Sequence, residues 1–143
     1  MRKLSICFLL TVVFVLSGIL YAQEEESHVF TVVTFELLSP EGGSSAEFDS
    51  LATLWAENMT KKNEFIVSEI TMSHMWGSNA QDFVVITETK SFADVEKAQS
   101  RNFELVEEAW PDKEERQNFF KAYTKYFGKH SDEIYQEKIS VRK

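Results

Sequence analysis

The chain is 143 residues long, with 43% hydrophobic residues and 15 basic against 23 acidic side chains, a formal net charge of −8 at pH 7. This length supports one domain with a sizeable core, and the acidic balance excludes nucleic acid and anionic membrane surfaces as natural partners. A single cysteine, Cys7, excludes an internal disulfide framework.

The first 22 residues read as a signal peptide. Arg2 and Lys3 give a basic start, an apolar run follows over 6–16, and Tyr21-Ala22 precedes Gln23 as a small-residue cleavage point. The expectation is a secreted or periplasmic protein beginning at Gln23, with no stable membrane anchor after cleavage. The stretch 4–20 is also about as long as the shortest bilayer span, so a retained anchor is the other reading; Gly18, Ala22 and the acidic residues 24–26 favour cleavage. Cleavage removes Cys7 and two positive charges, leaving 13 basic against 23 acidic residues, a net of −10.

Residues 23–143 form the single domain. After a short charged lead, 28–38 clusters Val, Phe, Thr and Leu as a strand, stopped by Pro40-Glu41-Gly42-Gly43. From Ser44 or Ser45 a helix begins, its stripe made by Phe48, Leu51, Ala52, Trp55 and Met59, and Lys61-Lys62-Asn63 closes it. A second strand spans 65–76, with Ile66, Ile70, Met72, His74 and Trp76 on one face and Val67, Glu69, Thr71, Ser73 and Met75 on the other. A hairpin over 77–81 leads into a third strand, 82–90.

Ser91 with Asp94 resembles a capping box and opens a helix carrying Val95, Ala98, Leu105, Val106 and Ala109, which Trp110-Pro111 breaks. Asp112 with Glu115 repeats the cap. Phe119, Phe120, Tyr123, Tyr126 and Phe127 then form an aromatic stripe on a helix expected to end near Gly128. A polar turn over 129–133 and a last strand over 134–141, with Tyr135, Glu137, Ile139 and Val141 on one face, complete the chain.

Strand, helix, strand, strand, helix pair, strand is an α+β order, the ferredoxin-like βαββαβ plan with an antiparallel sheet, helices on one face and the second helical region split in two. In this order and these lengths the chain resembles the dimeric α+β barrel superfamily, whose members include antibiotic-biosynthesis-type monooxygenases. The resemblance implies a homodimer in which two sheets pack across an axis, with ligands held between sheet and helices. The first strand carries apolar residues on both faces, Val29, Val33, Phe35 and Leu37 opposing Phe30, Val32 and Leu38, as a second covering layer requires. A partner subunit and a larger helical cover both satisfy that pattern.

Three constellations carry candidate chemistry. His74 and Trp76 end the second strand as an acid/base or orienting group beside a flat wall for a ring-bearing ligand, or else as core packing with a hydrated imidazole. His130, Asp132, Glu133 and Tyr135 gather titratable groups after a helix; one histidine with local carboxylates is an incomplete metal set, and a solvated turn is the simpler reading. Glu36 and Glu88 lie in otherwise apolar strands that are central neighbours in this plan. There, desolvation makes a carboxylate a useful acid or base unless a cation such as Lys90 or Lys138 neutralises it.

No Gly-rich phosphate loop, nucleophile elbow or HExxH is present, and the residues point to no cofactor. The expected activity is therefore binding of a small apolar or aromatic molecule between sheet and helices, walled by Trp55, Met72 and Trp76, with His74, Glu88, His130 and Tyr135 as polar contacts. An enzymatic version, cofactor-independent oxygenation or isomerisation, uses His74 or Glu88 for proton transfer. The alternative from another class is a filled barrel that acts through a partner in the envelope.

Overall fold

A computed structural model describes residues 27–138. The signal reading of 1–22 and positions 139–141 of the last predicted strand lie outside them. The order is β1 (Val29–Leu37), α1 (Ser45–Asn58), a 3-10 turn (Thr60–Lys62), β2 (Ile66–Ser73), β3 (Asp82–Thr89), α2 (Phe92–Ala109), α3 (Lys113–Thr124) and β4 (Phe127–Gln136). The four strands form one antiparallel sheet in the order β2-β3-β1-β4, the ferredoxin-like arrangement expected from the element order.

Each helix starts where a side chain satisfies its free N–H groups. Ser44 Oγ accepts from the Glu47 N–H, Ser91 Oγ from that of Asp94, and Asp112 Oδ1 from those of Glu114 and Glu115 at 2.9 Å each. The expected stripes face inward: Phe48 and Met59 of the first helical run, and Ala98, Leu105 and Val106 of α2, are buried.

The last third of the chain departs from expectation. α3 stops at Thr124, four residues before Gly128, and the segment 129–133, expected as a polar turn, is the middle of β4. The strand thus starts seven residues before the predicted 134. β4 pairs along β1 from Leu37↔Phe127 to Val29↔Gln136, with a bulge between Phe35 and Leu37. It is an edge strand with eight exposed residues, so Lys129, His130, Ser131, Asp132 and Glu133 remain hydrated while their backbone completes the ladder. Edge strands tolerate, and use, such polar sequences. Gly128 allows the bulge to close, since a Cβ there would sit 2.8 Å from Glu36 Oε2.

Register assigns the two sheet faces. The helix side carries Val29, Thr31, Val33 and Phe35, their β3 partners Thr89, Thr87, Val85 and Phe83, and Glu69, Thr71 and Ser73 of β2. There Phe48, Phe83 and Tyr126 form one buried cluster, and Met59, Leu105 and Val106 form another between the helices. Asn63 locks α2 onto the turn after α1: its Nδ2 donates to the Ala98 carbonyl and to Asn102 Oδ1, both at 2.8 Å, and its Oδ1 accepts from the Phe65 N–H. The opposite face carries Phe30, Val32, Thr34, Val84, Ile86, Ile70, Met72 and Tyr135, and none of the described helices lies over it. Apolar residues on both faces of β1 are thus observed, as expected.

Candidate functional site

Between α1 and the sheet, the helix-side layer closes incompletely. A cavity of about 560 Å³ is left there, its walls including the rings of Phe35, Phe48, Trp55, Phe83, Tyr123 and Phe127. α1 adds Asp49, Ala52, Thr53 and Ala56; the small side chains at 52 and 56 leave the space beneath the helix unfilled. β2 contributes Glu69 and Thr71, the polar alternates of an edge strand. Asp49, Thr53 and Thr71 are exposed and mark the side on which the cavity opens. A second hollow of about 600 Å³, rich in hydroxyl groups, shares Phe48, Asp49, Thr71 and Phe83 with the first.

The Glu69 carboxylate of the main cavity is held in place. Thr60 Oγ1 donates to Glu69 Oε1 at 2.6 Å and Thr87 Oγ1 donates to Glu69 Oε2 at 3.0 Å, which orients the carboxylate on the wall. The Tyr123 ring meets Trp55 at 6.2 Å and Phe48 at 6.1 Å between centroids. Burial, then the negative charge of Glu69, push the Tyr123 phenol up to about 12, so it stays a neutral hydroxyl donor throughout the physiological range. At the edge of the second hollow, the Tyr126 hydroxyl donates to Glu47 Oε2 at 2.6 Å, and Lys125 reaches both Glu47 oxygens. Hydrogen bonds first from Lys125 and then from Tyr126 hold the Glu47 carboxyl below its usual range.

The residues singled out in the sequence do not form one site. Trp55 lines the cavity as expected. Met72 is on the bare sheet face and 43% exposed, because register turns Glu69, Thr71 and Ser73 toward the helices instead. Trp76 lies beyond the end of β2, in the hairpin, and is 96% exposed. His74 tucks under that hairpin, its Nε2 near Gly77, buried and with no hydrogen-bond partner among the described residues.

Glu88 is buried on the bare-face side. It meets His28, whose Nδ1 is 2.5 Å from Oε1, while Ser68 Oγ donates to Oε2 at 2.5 Å. Tyr135 shares that face, opposite Phe30, and is 55% exposed. His130 is on the helix side but at the exposed edge, against the Phe35 ring at 5.6 Å and with Nε2 3.2 Å from Asp132 Oδ2. Among the described residues no three His, Cys, Asp or Glu side chains are grouped to hold a metal ion, and no helix is long and apolar enough to cross a membrane.

Sequence reasoning passed over Asp49, Glu69, Thr71 and Tyr123. One signal for them was present: polar alternates on β2 opposite an apolar stripe, beside central strands that carry apolar residues on both faces, mark space between the layers that side chains do not fill.

Solved structures share this architecture. SnoaB, a cofactor-independent oxygenase from Streptomyces nogalater, superposes with a TM-score of 0.54 at 12% identity, covering 82% of this chain and 99% of its own. A dimeric ferredoxin-like protein from an uncultured marine organism gives 0.54 at 10% identity, covering 83% and 95%. An antibiotic-biosynthesis-monooxygenase-like protein from Caulobacter crescentus gives 0.51 at 11%, covering 82% and 93%. The chain is thus similar in fold to ferredoxin-like dimeric α+β barrel proteins, as its element order suggested. No protein-family model matches the sequence, and no curated protein is detectably similar to it.

Proposed function

We propose that this protein binds a small, ring-bearing, largely apolar molecule in the cavity under α1, as an exported homodimer. The observation that carries the binding reading is the cavity itself. About 560 Å³ of space walled by six aromatic rings falls in the size range of ligand sites. Oxygenation like that of SnoaB, or isomerisation, through His74 or Glu88 would need those groups beside the ligand, and both lie outside the cavity; binding is therefore the leading reading.

The test is a fluorescence titration with N-phenyl-1-naphthylamine, a neutral two-ring probe. Saturable enhancement is expected for the native protein. Ala52→Trp, which adds an indole from the α1 wall, should weaken it at least about tenfold without lowering the thermal midpoint. Absence of saturable binding, or binding indifferent to Ala52→Trp, would sink the reading.

The dimer reading rests on the sheet face that none of the described helices covers, where Val32, Ile86 and Ile70 form one row across three strands and Ile70 is 55% exposed. A contiguous apolar face of this kind calls for a covering layer. Export rests on the 1–22 reading. Intact mass of the protein recovered from the periplasm or medium of a bacterial host should correspond to a chain starting at Gln23; a mass that includes Met1 would favour the retained anchor.

A further inference from the structure

We infer that the cavity under α1 selects an organic cation, a compact ammonium carrying a ring or several alkyl groups, over neutral and anionic molecules of the same shape. This deepens the binding reading above and depends on it. Two carboxylates lie on the cavity wall, Asp49 from α1 and Glu69 from β2, and among the described residues no Lys, Arg or His lines it. Asp49 stands where this cavity meets the adjoining hollow, so its charge faces both. Neither carboxylate takes part in an ion pair among the described residues.

Glu69 is half-buried and held by two hydroxyl groups that bring no charge. A carboxylate in that position is stabilised by a cation, and the site leaves that role to its occupant. The charge of Glu69 is felt inside the cavity, since it contributes to raising the Tyr123 phenol. The rest of the wall suits the same guest: Trp55, Tyr123 and Phe48 form a cluster of aromatic rings, and ring faces attract alkylated ammonium groups most when water is excluded. An anion would meet both carboxylates without a donor of opposite charge.

The test displaces N-phenyl-1-naphthylamine with three probes on one ring framework: phenyltrimethylammonium, its neutral isostere tert-butylbenzene, and benzenesulfonate. The cation should displace the dye at a concentration at least about tenfold lower than the neutral probe, and the sulfonate should fail. Glu69→Gln should remove most of that preference, read as the ratio of the two displacing concentrations. Asp49→Asn, at an exposed position that does not endanger folding, should reduce it in the same direction.

Equal displacement by the cation and its isostere, with Ala52→Trp blocking both, would overturn the cation inference and leave the binding reading standing. A preference that survives both carboxylate substitutions would also overturn it. Failure of every probe, with the dye itself not bound, would take down the binding reading.

Discussion

Ile86→Asp should convert the protein from dimer to monomer in sedimentation velocity at micromolar concentration, with its circular dichroism spectrum retained. Ile86 lies on β3, one of the two central strands, on the face that none of the described helices covers. Its cross-strand neighbours are Val32 and Ile70, and Phe30, Val84 and Met72 share the face. In the monomer a carboxylate here is reached by water, so the fold loses only the modest strand preference and packing of one residue.

In a dimer closed through this face the same carboxylate would be desolvated among apolar side chains with no cation beside it. The cost is on the order of several kcal/mol at the centre of an interface, and each 1.4 kcal/mol is a factor of ten in dissociation constant. A rise of roughly a thousandfold is the expected result. A native protein that sediments as a monomer, or a variant that still sediments as a dimer, would exclude this face as the interface.

The second large effect concerns the core. Phe48→Ala should lower the unfolding free energy by about 3–5 kcal/mol in urea titration. The ring is buried on α1 and is the meeting point of the aromatic layer: its centroid lies 5.3 Å from Phe83 at 85°, 5.3 Å from Tyr126, and 5.8 Å from Phe127 at 73°. Edge-to-face pairs of this kind add to the transfer term. Phe48 also lines both hollows, so its removal merges them and the layer cannot collapse to recover the contacts. For a domain of this size the loss is a large part of the whole stability. A decrease below about 1 kcal/mol would mean that the layer refills the space, and the cavity would then not be a rigid feature.

How much of this was legible before folding differs from element to element. The caps at Ser44, Ser91 and Asp112 and the stripe running from Phe48 to Met59 are local chemistry, and each formed as its side chains dictated. β4 was misread because its signal is not local. Lys129 to Glu133 carry no strand pattern of their own, and only the ladder offered by β1 makes them extended. The site was misread by parity. The apolar alternates of β2, Ile70 and Met72, looked like the inner face, but the sheet has two apolar faces, and register put them on the uncovered one.

Composition, capping residues and hydrophobic period are therefore enough to specify the α+β class, the element order and the inner stripes of the helices, because each depends on contacts a few residues apart. Packing alone decided that Glu69 and Tyr123, 54 positions apart, share a cavity, that Glu88 pairs with His28 and Ser68, and that Trp76 lies outside the site it was expected to wall. Those outcomes depend on strand order, on the bulge between Phe35 and Leu37, and on how far Ala52 and Ala56 let α1 approach the sheet, and none of these is written in any short stretch of the chain.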